Sequence, residues 1–361
     1  MPVPTNTNSK HAFPPFPDDV PTHPLLIVDY ALIKAGDEAE KNKLWEAGTN
    51  LGFWYLKNHD ADEEVNGMFD MGAATMDLPL EEKLQFDQGD SGRSAGYKAI
   101  GANAVDETGQ KDNVEFINVS QDDAMAWPDV ARRTYPRTVT AVMDSVVQPF
   151  VRKSAEINLT LMDVFNDKLG LPEGTLRRKH TGELSGSETR CIKSPPKPDW
   201  DEKTASLGAH TDFGSLSFLH NRQGGLQVFV KGTDKWQYIK PLPGHAVCNL
   251  GDAMAIFSGG ILRSNLHRVV PPPGAQAAFD RWSLVFFSRP GDSVVLRALK
   301  EDSQLIAEAA EKNQRENGTN YETQSTAADW FARRIKYQRV KNYKGPESWQ
   351  QSRGTEHKQR V

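Results

Sequence analysis

The 361-residue sequence has little cysteine, no long apolar run and no block of one charge. Its two cysteines, Cys191 and Cys248, lie far apart and define no disulfide framework. A reducing, cytoplasmic compartment is therefore the expectation. No stretch approaches the roughly 18 apolar residues of a membrane span. Residues 1–24 are polar and rich in proline, without the basic and apolar regions of a secretory signal. The net charge of −5 is dispersed along the chain, which argues against a nucleic-acid-binding surface. There is no internal repeat. What remains is core material: 38% hydrophobic and 9% aromatic residues, enough for one large or two ordinary domains.

The chain changes character along its length. Pro14, Pro15, Pro17, Pro21 and Pro24 resist helix, so residues 1–24 read as an extended arm. A short strand is expected at 25–28, a helix at 37–48 stopped by Gly48, a strand at 53–56, and a helix from an Asp62 cap to about Met76. Val139, Val142, Met143, Val146, Val147 and Phe150 follow the helical period, with Pro149 expected to kink or divide the helix and Gly170 to end its continuation. Short β-type runs then follow at 215–219, 226–230, 236–239, 246–250, 254–257, 267–270, 281–287 and 293–296. Many short strands between turn residues predict a sandwich or jelly roll. The tail from about Glu301 is helical, with Thr326 capping one helix and Asp329 three residues later.

The chemistry concentrates in this β-rich part. His210 and Asp212 stand two residues apart on a segment with strand character, where such side chains share a face. Among nine histidines that spacing is expected about once by chance, so the pair alone is a weak signal. His267, opening a distant β-type run, offers a third ligand. Two imidazoles and one carboxylate suit non-haem Fe(II) with open coordination positions, with zinc the alternative metal. The other histidines compete poorly. His59 and His245 sit in turns, His220 has no carboxylate at strand spacing, and His11, His23 and His357 fall in tails.

Arg281-Trp282-Ser283-Leu284-Val285-Phe286-Phe287 reads as a strand with apolar demand on both faces. Arg281 is then buried and needs an anionic partner, and Ser283 shares its face. The sequence Asp212-Phe213-Gly214 also spells a kinase motif, but no phosphate loop or catalytic loop accompanies it.

Taken in order, these features resemble the Fe(II)/2-oxoglutarate-dependent dioxygenases of the isopenicillin N synthase-like superfamily. The N-terminal part contributes residues 27–29, 52–59, 79–83, 96–97 and 111–115 to the resemblance. The core contributes Gly224-Gly225-Leu226-Gln227-Val228, Asn249-Leu250-Gly251-Asp252 and Ser264-Asn265-Leu266-His267-Arg268-Val269.

The resemblance implies a mainly β core, a double-stranded β-helix (jelly roll, cupin-like) with flanking helices. It implies His210, Asp212 and His267 as catalytic iron ligands, with Arg281 and Ser283 binding the distal carboxylate of 2-oxoglutarate. O2 completes the set, and the cosubstrate leaves as succinate and CO2 while a small organic substrate is oxidised, by default hydroxylated. Phe287 resembles a position that packs on substrate, and Phe116, Asn118 and Arg190 are further pocket candidates. Arg190 and Lys193 hint at a polar or anionic substrate, against which stands simple pairing with nearby acids.

One segment departs from the family pattern. Where Asn and Tyr often help to hold the cosubstrate, Ile192 and Ser194 stand here, and only Ser194 can donate a hydrogen bond. This leaves room for a 2-oxoglutarate-independent iron oxidase of the isopenicillin N synthase type, and, because fold does not fix function, a non-enzymatic jelly-roll binding protein is a further alternative. The implied organisation is an arm over 1–24, a largely helical N-terminal region over 25–184, the dioxygenase core over 185–296 and a helical segment over 297–361. The expected partner is a small molecule, with neither nucleic acid nor membrane.

Overall fold

Runs of β-branched and aromatic residues form strands wherever glycine, proline or asparagine turns bound them. The computed structural model describes residues 13–130, 132–197, 206–230, 232–233 and 235–355. In chain order the strands are β1 (Ile27–Asp29), β2 (Phe53–Lys57), β3 (Gly96–Lys98), β4 (Glu115–Ser120), β5 (Glu188–Ser194) and β6 (Leu207–His210). Then come β7 (Leu216–Asn221), β8 (Leu226–Val230), β9 (Lys235–Tyr238), β10 (His245–Leu250), β11 (His267–Val269) and β12 (Arg281–Ser288).

Two sheets face each other as a jelly roll. The larger has eight strands in the order β1-β2-β10-β7-β12-β5-β4-β3, and the smaller has four in the order β6-β11-β8-β9. The N-terminal region is not only helical: it supplies both edges of the large sheet, β1-β2 on one side and β3-β4 on the other. Strands from 25–184 and from 185–296 therefore interleave in one sheet.

Helices cover the outer face of the large sheet. The 21-residue helix Gln148–Lys168 buries Phe150, Val151, Ile157, Leu161 and Phe165. Pro149 does not break it. A π-helical turn over Met143–Val147 precedes the helix, and Pro149 occupies its first turn, where a missing N–H costs nothing. Gly170, at φ 68°, follows its end. The helix Glu38–Asn50 runs past Gly48, which faces Phe165 instead of stopping the chain. Asp62 is the first residue of the helix Asp62–Met76 and not its cap.

Two expected strands are absent. Residues 254–257 belong to a buried helix, Asp252–Phe257. Its Ala and Met residues favour helix, and Asp252 in the first turn opposes the helix dipole. Residues 293–296 form only an isolated bridge, Val295 to Thr326. The C-terminal tail is helical over Gln304–Asn317, Ala327–Gln338 and Pro346–Gln351. Thr326 caps the second of these by accepting from the Asp329 amide at 3.1 Å. At the other end, Phe16 in the arm packs edge-on against Tyr238 of β9. Residues 1–12 of the expected arm, including His11, and His357 of the tail lie outside the described residues.

Both cysteines are free and buried. Gly72, on the helix Asp62–Met76, lies so close to Cys191 on β5 that a Cβ would overlap the sulfur. Gly72→Ala is expected to cost about 1–3 kcal/mol of stability through overpacking, despite its better helix propensity. Urea unfolding of the purified variant measures this.

Candidate active site

Register brings the two histidines together. β11 lies antiparallel to β6, with His267 directly opposite His210. Asp212 stands just beyond the end of β6, not on the strand as its spacing suggested. It nevertheless turns its carboxylate to both rings, with Oδ1 3.8 Å from Nε2 of His210 and 3.6 Å from Nε2 of His267. One ligand atom from each of the three lies within 4.8 Å of the others.

The surrounding contacts prepare these atoms. Nδ1 of His210 lies 2.7 Å from the Gly208 carbonyl and Nδ1 of His267 3.1 Å from the Asn265 carbonyl. A ring N–H donated to each carbonyl leaves Nε2 as the free lone pair, the usual way a metal-binding imidazole is oriented. Oδ2 of Asp212 accepts from Asn249 at 2.7 Å and Ser217 at 2.5 Å, so Oδ1 is left for the centre. Burial alone would raise the Asp212 pKa, but His267, His210 and those two donors outweigh it and hold the acid at about 2. Burial, with His267 adding to it, pushes His210 down to about 3. A deprotonated carboxylate beside a neutral imidazole is the donor set a divalent cation requires.

The C-terminal segment braces this strand. Arg334 donates to the Thr211 carbonyl at 3.0 Å and pairs with Asp252, and Arg353 donates to the Ala209 carbonyl at 2.6 Å. The backbone on both sides of His210 is thus held by residues some 120–140 positions later.

Across the cavity, Arg281 is 3% exposed and meets no carboxylate among the described residues. Its Nε donates to the Gly224 carbonyl at 2.7 Å, Nη1 to Ser283 at 2.6 Å and Nη2 to Asn221 at 3.4 Å. Burial lowers its pKa to about 10. An unpaired buried guanidinium is costly, so this arrangement fits an anion. Ser194 lies opposite Arg281 in the β5–β12 register, and its buried hydroxyl has no partner among the described residues. A bound carboxylate would satisfy both. Ile192 lines the same cavity and donates nothing.

Of the expected pocket residues, Phe116, Arg190 and Phe287 line the cavity together with the triad, Arg281 and Ser283. Asn118 does not. It is fully buried behind the wall, donating to Ser94 and accepting from Nε of Arg190 at 2.8 Å. Lys193 pairs with Asp280 at 3.3 Å and is absent from the lining. His59 sits in a turn between Asn58 and Asp60, both with positive φ, yet it is 2% exposed and packs edge-on to Phe218 and His220. Sequence reasoning missed Arg289, Trp349 and Arg353 in the lining.

The sequence matches two family models, the 2OG-Fe(II) oxygenase superfamily over residues 186–290 and the non-haem dioxygenase in morphine synthesis N-terminal region over 25–138. A 2-oxoglutarate-dependent dioxygenase of Amanita muscaria, iboH, is 35% identical over 145 residues, covering 39% of this chain and 69% of that one. The chain belongs to the 2OG-Fe(II) oxygenase superfamily. The Gibberella zeae 2-oxoglutarate-dependent dioxygenase FG08081 is 29% identical over 79% of this chain and 85% of its own. Among solved structures, full-length Neurospora crassa T7H in complex with alpha-KG aligns with a TM-score of 0.70 at 20% identity, over 90% of this chain and 99% of that one. At that identity the likeness speaks to the jelly-roll fold alone. The oxygenase is an oxidoreductase that uses Fe(II), O2 and 2-oxoglutarate. Among its described residues, no helix is long and apolar enough to cross a membrane.

The second hydrogen bond on Asp212 gives a direct test. Asn249→Ala is expected to weaken Mn(II) or Fe(II) binding about 10- to 100-fold, the usual cost of losing an outer-shell partner. Equilibrium metal titration of the apoprotein reads it.

Proposed function

We propose that His210 and His267, through Nε2, and Asp212, through Oδ1, are the iron ligands of this 2-oxoglutarate-dependent dioxygenase. We further assign Arg281, Ser283 and Ser194 to the distal carboxylate of 2-oxoglutarate, and the cavity beside Phe116 and Phe287 to a small organic substrate that is hydroxylated. The single observation carrying this reading is Arg281, a buried guanidinium with no carboxylate among the described residues, facing across one cavity to a two-histidine, one-carboxylate cluster.

When bound, the iron supplies redox chemistry with O2, coupled to decarboxylation of 2-oxoglutarate to succinate and CO2. The chain's own residues orient and shield. Asn249 and Ser217 fix one Asp212 oxygen so that the other keeps a single direction. Gly224, Ser283 and Asn221 fix the Arg281 guanidinium, which reduces the side-chain entropy lost on clamping the diacid. Ser194 gains its missing acceptor from the same carboxylate. Phe53, Val114, Leu207, Phe213 and Phe287 make much of the remaining wall apolar. Such walls limit water around the reacting groups and favour attack on the bound substrate.

The arginine also separates this reading from an iron oxidase that needs no 2-oxoglutarate. Arg281→Met is expected to lose about 2–5 kcal/mol of 2-oxoglutarate binding, roughly a 30- to several-thousand-fold rise in Kd, because it removes one partner of a buried charge pair. Metal affinity should stay within about threefold, since the clamp lies apart from the ligands. Calorimetric titration of 2-oxoglutarate into the anaerobic Mn(II) protein tests this. Succinate release by the wild-type Fe(II) enzyme, followed across a metabolite pool, tests the activity. An Arg281→Met protein that binds 2-oxoglutarate as the wild type does would sink the assignment.

A further inference from the structure

The cavity contains a second cationic anchor that the cosubstrate clamp does not use. Arg190 on β5 and Arg289, just after β12, both line it. They are layered with aromatic rings. The Arg190 guanidinium lies 4.2 Å from the Phe116 ring centre and 5.1 Å from that of Phe287, and Arg289 lies 5.1 Å from Phe287 and 4.2 Å from Phe331. Stacking occupies the guanidinium faces and leaves their N–H edges to bond in plane.

Those edges are only partly satisfied. A single carboxylate, Glu188, serves both arginines, accepting from Nη2 of Arg190 at 3.0 Å and from Nη2 of Arg289 at 3.1 Å. Nε of Arg190 is taken by Asn118, and Nη2 also touches Ser94. Nη1 of Arg190 donates to nothing among the described residues, although the side chain is only 15% exposed. Arg190 and Arg289 thus bring two positive charges to one carboxylate. The Fe(II) and 2-oxoglutarate charges cancel each other, so loading the site leaves this excess in place. Burial lowers the pKa of both Arg190 and Arg289, with Glu188 acting against it.

The anchor is distinct from the clamp. Arg190 pairs with Val285 and Ser194 with Arg281, so four residues of β5 separate the two positions. At strand rise that is roughly 13 Å. Ile192 and Ser283 stand between them in the register, Phe116 lies opposite Ile192, and Val105, Val114, Val285 and Phe287 add apolar or aromatic surface to the same cavity.

We propose that the primary substrate is a carboxylic acid with a hydrocarbon or aromatic body, its carboxylate accepting from Nη1 of Arg190 and its body lying along Phe116 and Phe287. This rests on the assignment of 2-oxoglutarate to Arg281. The aromatic stack and Glu188 hold the guanidinium in place, and the carboxylate supplies the missing negative charge. A neutral substrate would leave both the charge and the Nη1 donors unsatisfied.

The test uses the full chain, loaded anaerobically with Mn(II) and saturating 2-oxoglutarate. Matched acids and amides are titrated into it: hexanoate and hexanamide, benzoate and benzamide, phenylacetate and phenylacetamide. The expected result is at least tenfold tighter binding of the acid in one or more pairs. That preference should fall to within twofold in Arg190→Gln, which keeps a donor for Asn118 but no charge, and partly return in Arg190→Lys. The affinity for 2-oxoglutarate, measured first in each variant, should stay within threefold of wild type and also reports on folding. Acids binding no better than amides, or not at all, in every pair overturns the proposal. So does a preference that survives in Arg190→Gln. If Arg190→Gln instead loses 2-oxoglutarate while Arg281→Met keeps it, the two anchors have been exchanged and the underlying cosubstrate assignment fails with the proposal.

Discussion

A buried positive charge with no carboxylate partner among the described residues is the constraint on which the rest of this site depends. Arg281 stands on a central strand of the large sheet, with apolar neighbours on both sides of that strand. Its donors are held by a carbonyl, a hydroxyl and an amide oxygen, none of which carries charge. Folding alone therefore leaves an electrostatic debt that a bound dianion removes. The orphaned Ser194 hydroxyl beside it and the ligand cluster across the cavity define where the two ends of such a molecule would lie.

The framework that sets these groups apart comes from sheet geometry. One face of the cavity is the large sheet, which carries Arg281, Ser283, Phe287, Arg190 and Phe116. The other is the small sheet, which carries His210 and His267 as a cross-strand pair. Neither sheet is closed by local sequence. The large one draws its edges from the N-terminal region, and the strand bearing His210 is held by Arg334 and Arg353 from the tail. The geometry of the candidate site is thus set by segments far apart in sequence.

Much of this was legible in the residues. The 210/212 spacing, the distant His267 and the period-two face of Arg281 and Ser283 each had a local physical reason, and the two sheets bring those residues to one cavity. What escaped needed long-range information. The apolar run 254–257 is compatible with strand or helix, and its Ala and Met residues together with Asp252 at the start, paired with Arg334, favour helix. β3 and β4 are short and polar enough to read as loops until the sheet edge pairs them. Asn118 was a pocket candidate, yet it turns behind the wall to hold Arg190. Arg289 follows a strand end and precedes a proline, which signals a turn and nothing of the stack it completes. Asp212 lies beyond its strand, so its approach to the histidines owes more to Asn249 and Ser217 than to strand periodicity.

A structure determined anaerobically with Mn(II) and 2-oxoglutarate bound tests the central claim most directly. The account predicts the metal on Nε2 of His210, Nε2 of His267 and Oδ1 of Asp212, with the distal carboxylate of 2-oxoglutarate on Arg281 and within hydrogen-bond reach of the Ser194 hydroxyl. A metal bound elsewhere, or a diacid seated on Arg190 with Arg281 left unpaired, would contradict it.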